Sequence, residues 1–429
     1  MDCGSHPDPE FQTVKILFFT HYFPPEGNAP ASRTYEHCRR WVEAGNEVTV
    51  ITCAPNVPNG VVYDGYKNRL WPQIEEMDGI RVIRVWSFLA ANAGFIKRIL
   101  NFVSYMFSAI FAAIFWAKRP NVIIATSPQF FCGWAGVFCS WIKWRPLVLE
   151  IRDIWPESIA TVGAMKKGMV FRFLEFLERR MYRSANHIVA VGQGYRQNVE
   201  SKVNVKDRIS VITNGVDPEL FQPRQPSSEL MGKWDLQGRF VCSYVGTIGM
   251  AHGLDVTIRA AEKLRELDVK DVVFLLVGDG AYRKVLEEQV TEKGLEDWIR
   301  FTGRLDKSQM PEVLASSDAM LVHLKKSDLF ETVIPSKIFE ALSMERPIIM
   351  GVKGESAEII REANAGLFME PDNEDDLVRN VVQMKTEPEL MNQLRSNGRQ
   401  FVSQHYNRNT KAEDFLDTLQ SVAKGVPKG

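Results

Sequence analysis

The chain has 429 residues, is 45% hydrophobic and 24% charged, and carries a formal net charge of −1. That balance excludes a protein built to coat nucleic acid, and the length exceeds one hydrophobic core, so two domains of roughly 200 residues are expected. Its six cysteines form no C-x-x-C pair and have no histidine cluster beside them, which argues against a metal site and for a reducing, cytoplasmic setting.

Residues 1–13 are polar and patternless and read as a cloning remnant, with no secretory signal. Residues 14–20 read as a strand, followed by a Pro/Gly loop at 22–30, a helix at 31–44 and a second strand at 47–52. This is a βαβ unit with parallel strands, and ligands in such sheets bind beyond the carboxyl ends, where the 22–30 loop lies. Gly27 and Asn28 allow close backbone approach there, although loops use these residues in any case. Further strands are expected at 80–85, 121–126, 146–151, 187–191 and 208–212. An Asn214-Gly215 turn and a Pro/Ser/Gln-rich stretch at 218–232 then read as an interdomain linker.

The second half repeats the grammar, with strands expected at 240–245, 272–277, 299–303, 318–323 and 347–351. The first runs into the glycine-rich Gly246-Thr247-Ile248-Gly249, with His252 close behind. The second ends in Gly278-Asp279-Gly280. Two tandem α/β domains imply a cleft between them. Glu331 to Met344 reads as a loop entering a helix, with Pro335 at the first helical position and Ser336 and Lys337 in the first turn. Free N–H groups, the helix dipole and the Lys337 charge suit an anion. Glu340, three residues on, suits sugar hydroxyls better than phosphate.

Residues 102–117 are apolar apart from two serines, and basic pairs flank them. Residues 130–144 are rich in Phe and Trp, and the helix expected from Met165 to Arg183 mixes Lys166, Lys167, Arg172, Arg179, Arg180 and Arg183 with apolar side chains. Such interleaving suits an anionic bilayer surface, or else a helical cover for the first sheet.

These motifs together resemble the family 4 retaining glycosyltransferases. The carriers are the 23–30 loop, Ile151-Arg152-Asp153-Ile154-Trp155-Pro156-Glu157, Thr213-Asn214-Gly215-Val216-Asp217, Val245-Gly246-Thr247-Ile248-Gly249, Val277-Gly278-Asp279-Gly280 and Pro335-Ser336-Lys337-Ile338-Phe339-Glu340-Ala341-Leu342. The resemblance implies the GT-B fold, two Rossmann-like α/β domains facing across a cleft. Residues 14–217 would bind acceptor, 218–400 would bind a nucleotide sugar, and a helix in 401–429 would return to the first domain. The Asp-Ile-Trp-Pro-Glu and Pro-Ser-Lys-Ile pieces look most like the bacterial surface-polysaccharide branch, including N-acetylfucosamine transferases of O-antigen and capsule assembly. That branch implies a UDP-linked donor, no required metal, and a polyprenyl-diphosphate-linked glycan acceptor reached by peripheral contact with the inner face of the cell membrane.

Within that resemblance, Gly27, Asn28, Arg33, Arg152, Thr247, Gly249, Gly278, Arg304, Pro335, Ser336, Ile338 and Glu340 are expected to bind substrate. Asp153, Lys337, Glu331 and His252 are expected to act at the reacting centre. The chain departs from the family pattern in three places. Many members carry Glu-x7-Glu; here Glu340 matches the second, while Thr332 fills the first position and Glu331 lies one residue further back. Thr247 and His252 stand where many members have Arg and Lys on the diphosphate, so Lys337 must meet that charge, helped by Arg33, Arg152 or Arg304. The usual His-Asp pair is Arg152-Asp153. Breaking the anomeric bond puts negative charge on the leaving oxygen, which preorganised cations stabilise. In the retaining family the leaving phosphate is thought to take the acceptor proton, which explains the lack of an obvious general base. Asp153 then positions donor or acceptor, or merely caps a turn. A sugar-nucleotide 2-epimerase on the same plan and a non-catalytic membrane scaffold are the alternatives. A dinucleotide oxidoreductase fits poorly, because Arg283 replaces the last glycine of G-x-G-x-x-G.

Overall fold

Residues 15–19 alternate faithfully: Ile16 and Phe18 enter one core and Leu17 and Phe19 another, on opposite faces of the same strand. Both faces are covered, so the strand reads as a continuous apolar run. This is the rule throughout the computed structural model, which describes residues 13–57, 59–89, 95–127, 129–157, 168–326 and 331–425. The chain divides into two units, 1–212 with 412–429, and 213–411. The crossings therefore fall at 212/213 and 411/412 rather than at 217 and 401.

The first unit holds β1 (Lys15–Phe19), β2 (Glu47–Cys53), β3 (Gln73–Met77), β4 (Ile80–Val85), β5 (Val122–Thr126), β6 (Leu147–Ile151), β7 (His187–Ala190) and β8 (Ile209–Val211). Their spatial order is β3-β4-β2-β1-β5-β6-β7-β8. All neighbours are parallel except β3, which pairs antiparallel with β4 across an Asp78-Gly79 turn with φ of +50° and +75°. Helices α1 (Ala29–Glu43), α2 (Phe95–Phe115), α3 (Phe130–Lys143), α4 (Met169–Ser184) and α5 (Gln193–Lys202) cover the sheet. Asn28 is the N-cap of α1, its side chain accepting from the Ala31 amide, and Gly27 is exposed beside it. Asn28 thus serves a helix start.

Helix α2 is apolar on both sides. Tyr105, Ala109, Ala112 and Ala113 are buried against the sheet, where small side chains allow close approach, while Phe107, Phe111 and Phe115 stand more than half exposed at 63%, 52% and 64%. Lys97–Phe115 has the length and composition of a membrane span, and a third of its apolar window is buried in the protein. Of the basic helix expected from Met165, α4 begins at Met169; Met165, Lys166 and Lys167 lie outside the described residues.

The second unit holds β9 (Phe240–Val245), β10 (Val272–Val277), β11 (Ile299–Gly303), β12 (Ala319–His323), β13 (Ile348–Gly351) and β14 (Gly366–Phe368), all parallel, in the order β11-β10-β9-β12-β13-β14. Its helices are α6 (Ser228–Lys233), α7 (Asp255–Glu266), α8 (Arg283–Lys293), α9 (Met310–Ala315), α10 (Lys337–Ser343), α11 (Glu355–Ala363), α12 (Glu374–Thr386) and α13 (Pro388–His405). The 218–232 stretch is no free linker. Phe221 is buried in a core with Leu314, Ile338 and Phe339, and its carbonyl accepts from Ser343 Oγ at 2.7 Å. The last helix, α14 (Arg408–Ala423), places Phe415, Leu416 and Leu419 in the first unit's core, where Trp41 Nε1 donates to the Ala412 carbonyl at 2.9 Å.

Candidate functional site

Strand order reverses in the second unit between the paired neighbours β9 and β12, with β10 and β11 on one side and β13 and β14 on the other. In parallel sheets such a switch point opens a crevice at the carboxyl ends. The loop after β9 brings Gly246, Thr247, Gly249 and His252 there, and the segment after β12 leads to Lys337 and Glu340 on α10.

Lys337 is half-buried. The Nζ stands 3.9 Å from the centroid of the Tyr244 ring. A Cβ on Gly246 would come within 3.4 Å of it, and Gly246 has φ +145°, which disfavours any other residue. Burial pulls the Lys337 pKa down to about 7, with Glu340 opposing. Glu340 is pushed up by burial, against the pull of Arg408, Lys307 and Lys337. Among the described residues neither the Lys337 ammonium nor the Glu340 carboxylate has an ion-pair or hydrogen-bond partner. A lysine and a glutamate without ion-pair or hydrogen-bond partners among the described residues thus stand three residues apart on one helix. Charges so placed are rare in a finished core and suited to a polar ligand.

Other expected residues are placed differently. Pro335 precedes α10 by two residues, and Ser336 is its N-cap without a side-chain hydrogen bond; α10 is only 7 residues long, so charge at this site comes from Lys337 more than from a dipole. Ile338 is fully buried in the core and its amide bonds to the Pro335 carbonyl, so its side chain does not reach a ligand. Gly278 has φ +140°, and a Cβ there would lie 1.8 Å from the Gly246 carbonyl oxygen. Its lack of a side chain lets the two loops pack backbone to backbone. The Gly249 amide donates to His252 Nδ1 at 3.3 Å. Burial and Lys337 together pull the His252 pKa down to about 4, so the ring is neutral. Thr247 and Arg304 are exposed, as is Glu331.

In the first unit the order reverses between β1 and β5. Just beyond, at the end of β6, Glu150 Oε1 accepts from Arg33 Nε at 2.8 Å and its other oxygen accepts from Thr126 Oγ1 at 2.6 Å. Arg33 also donates to the Ile212 carbonyl at 3.0 Å. The Arg33 and Glu150 side chains are 6% and 1% exposed, so Arg33 is a buried structural partner and not a free cation for phosphate. Burial would raise the Glu150 pKa, but Arg33, Arg152 and the Thr126 hydroxyl outweigh it and hold it low. Arg152 is the second cation beside that one carboxylate. Burial lowers its pKa to about 10, Glu150 opposes, and its guanidinium reaches the Pro30 carbonyl at 3.4 Å. Ser127 Oγ accepts from the amides of Arg152 and Asp153 at 2.7 and 3.1 Å, fixing the turn that presents Asp153. Trp155 stacks on Phe130 at 4.6 Å, and Glu157 pairs with Lys202, so the whole 152–157 stretch is anchored.

The residue that sequence reasoning misses is Tyr244. It reads as one more apolar residue of β9, yet its ring carries Lys337 and its hydroxyl donates to the Thr247 carbonyl at 2.8 Å.

Two parallel-sheet α/β domains with these switch-point motifs define a GT-B protein, and the chain belongs to the family 4 glycosyltransferases. Residues 28–215 match the glycosyl transferase 4-like domain and residues 228–401 match the glycosyl transferases group 1. Among relatives, the chain is 24% identical to the putative colanic acid biosynthesis glycosyl transferase WcaI of Escherichia coli K12, across 77% of this chain and 81% of that protein. It is 27% identical to the probable glycosyltransferase WbjE of Pseudomonas aeruginosa across 55% of this chain, spanning 58% of that relative's length. Among solved structures, Anabaena HepE in complex with UDP and glucose superposes with a TM-score of 0.70 at 20% identity, covering 95% of this chain and all of that one. WaaG, a glycosyltransferase involved in lipopolysaccharide biosynthesis, superposes with a TM-score of 0.66 at 16% identity, covering 94% and 99%.

Proposed function

We propose that the chain transfers a sugar of N-acetylhexosamine type, with retention, from a UDP-sugar to a polyprenyl-diphosphate-linked glycan during surface-polysaccharide assembly. One observation carries this reading: Lys337 and Glu340 stand three residues apart at the second unit's switch point, and neither has an ion-pair or hydrogen-bond partner among the described residues. An ammonium without a carboxylate partner suits a diphosphate, most of all as negative charge grows on the leaving oxygen. A carboxylate without donors suits a pair of ribose hydroxyls. A fixed cation at the diphosphate does the work a metal ion would otherwise do, so the reading needs no metal. Uridine is the nucleoside held by Anabaena HepE, a structural neighbour in complex with UDP.

The acceptor side of the reading rests on the outer faces of α2, α3 and α4. Phe107, Phe111, Phe115, Trp141, Trp144 and Phe173 are all exposed there, and Arg172, Arg179, Arg180 and Arg183 are exposed on α4. Aromatic and basic side chains in one layer fit peripheral binding to an anionic leaflet, where a polyprenyl-linked acceptor resides. The test is calorimetric titration with UDP, GDP and ADP. We expect UDP to bind at least about tenfold more tightly than the others, or about 1.4 kcal/mol. Equal affinity for all three, or none for any, would overturn the UDP-sugar assignment.

A further inference from the structure

Resting on that nucleotide-sugar reading, we infer that Tyr244 is the positioning residue of the donor site: its ring holds the Lys337 ammonium away from Glu340 while its hydroxyl fixes the Thr247 carbonyl. Lys337 and Glu340 lie at i and i+3 on α10, a spacing at which lysine and glutamate readily form an ion pair. A lysine side chain is long and flexible enough to close it. Closing it would cancel both charges and remove the site's two ligand-seeking groups at once. Instead Nζ lies over the Tyr244 ring at 3.9 Å, in the range of an attractive cation–π contact.

The placement of Tyr244 supports the assignment. It is fully buried near the end of β9, so its ring cannot swing away. Its hydroxyl donates to Thr247, three residues on, and ties the ring to the loop whose Gly246 approaches Nζ. The His252 ring lies edge-on to it, with 5.9 Å between centroids, and receives the Gly249 amide. One side chain therefore fixes both the cation and the backbone of the loop opposite. A core tyrosine with no such role would present its face to apolar neighbours.

The test replaces Tyr244 with phenylalanine and with phenylalanines bearing one, two or three ring fluorines, which weaken the ring's attraction for a cation without changing its shape. UDP affinity is measured by calorimetry at pH 6.5, and Y244L is added as a non-aromatic variant. We expect Y244F to bind about 3-fold more weakly through loss of the Thr247 contact. Affinity should fall by about 10-fold more along the fluorinated series, and Y244L should lose about 30-fold overall. If Y244L does not fold, the fluorinated series decides alone. Wild-type binding with a flat series would overturn the role of Tyr244 and leave the donor site standing. Absence of UDP binding by wild type would instead remove the nucleotide-sugar reading and this inference with it.

Discussion

Arg33 and Glu150 are joined by a 2.8 Å ion pair in the first unit although 117 residues separate them in the chain, and both side chains are almost wholly buried. Removing Arg33 leaves the buried Glu150 carboxylate to Arg152 and the Thr126 hydroxyl. We expect Arg33→Met to cost about 3–5 kcal/mol of stability. Denaturant unfolding should show a lowered midpoint, while any folded protein retains its UDP affinity. The Glu150 pKa is depressed in the folded state, so its contribution is complete above the unfolded glutamate value, roughly 4.3, and fades as pH falls through the folded value. Acid titration of wild type should lose stability below about pH 4 by this route, and Glu150→Gln should flatten that limb.

Lys337 gives a pH dependence of the opposite sense, acting on binding. Its pKa is pulled down to about 7 by burial, so the free protein carries the ammonium below that pH and loses it above. Donor binding that needs the cation should be strongest below about pH 7 and weaken as pH rises through it. Bound diphosphate favours the charged form, so binding at about pH 7.5 should take up a proton. Titrations in buffers of different ionisation enthalpy measure that uptake. A guanidinium stays charged throughout this range, so Lys337→Arg should abolish the alkaline limb. Lys337→Ala should lower kcat more than it raises KM, because the charge matters most as the phosphate leaves.

Glu340→Gln should keep the fold and weaken UDP binding by about 1–3 kcal/mol, since two ribose hydroxyls lose a charged acceptor. Calorimetry reads the affinity and thermal unfolding checks the fold. UDP affinity equal to wild type would exclude Glu340 from the site. Because burial raises the Glu340 pKa, the wild-type affinity should also decline toward acid pH, in a limb that Glu340→Gln lacks.

What can be read from sequence, and what cannot, follows the range of the interactions. Parallel strands buried on both faces announce themselves as apolar runs, and all five strands expected in the second unit are present within a residue or so. β3 escapes because Gln73–Met77 is an edge strand rich in Glu, although the Asp78-Gly79 turn behind it is a usable signal. β14 is only 3 residues long. At the site, Lys337 and Glu340 are legible because their spacing on one helix is local. The engagement of Arg33 is not, since Arg33 sits on helix α1 and its partner lies far along the chain on strand β6. Tyr244 is missed for a related reason: its contact with Lys337 joins β9 to α10, and a tyrosine near a strand end looks the same whether it faces a leucine or a lysine. Pro335 reads as the first helical residue, but the helix begins only at Lys337. The signal marks the neighbourhood and misses the boundary, where a turn and a helix start share the same φ.

The exposed layer of α2, α3 and α4 leads to the last prediction. Phe107 and Phe111 lie on the outer side of α2, whose inner side is buried through alanines and Tyr105. Water is a poor neighbour for such a face, whereas the interfacial zone of a bilayer accepts Phe and Trp readily. The exposed Arg172, Arg179 and Arg183 on α4 add charge that anionic lipid would attract, at about 1 kcal/mol for each residue near the surface. Binding should therefore need both anionic lipid and apolar contact, and should weaken with salt. Co-sedimentation with neutral and anionic vesicles measures it. R172E/R179E/R183E should reduce partitioning to anionic vesicles by about 100-fold and abolish the salt dependence, because three attractions become repulsions. F107S/F111S should weaken binding at every salt concentration, since it removes the part that salt does not screen. Both variants change exposed residues and should melt near the wild-type temperature. Wild type that stays in the supernatant with both vesicle types, or a charge-reversed variant that pellets as wild type does, would leave these helices as cover for the first sheet and nothing more.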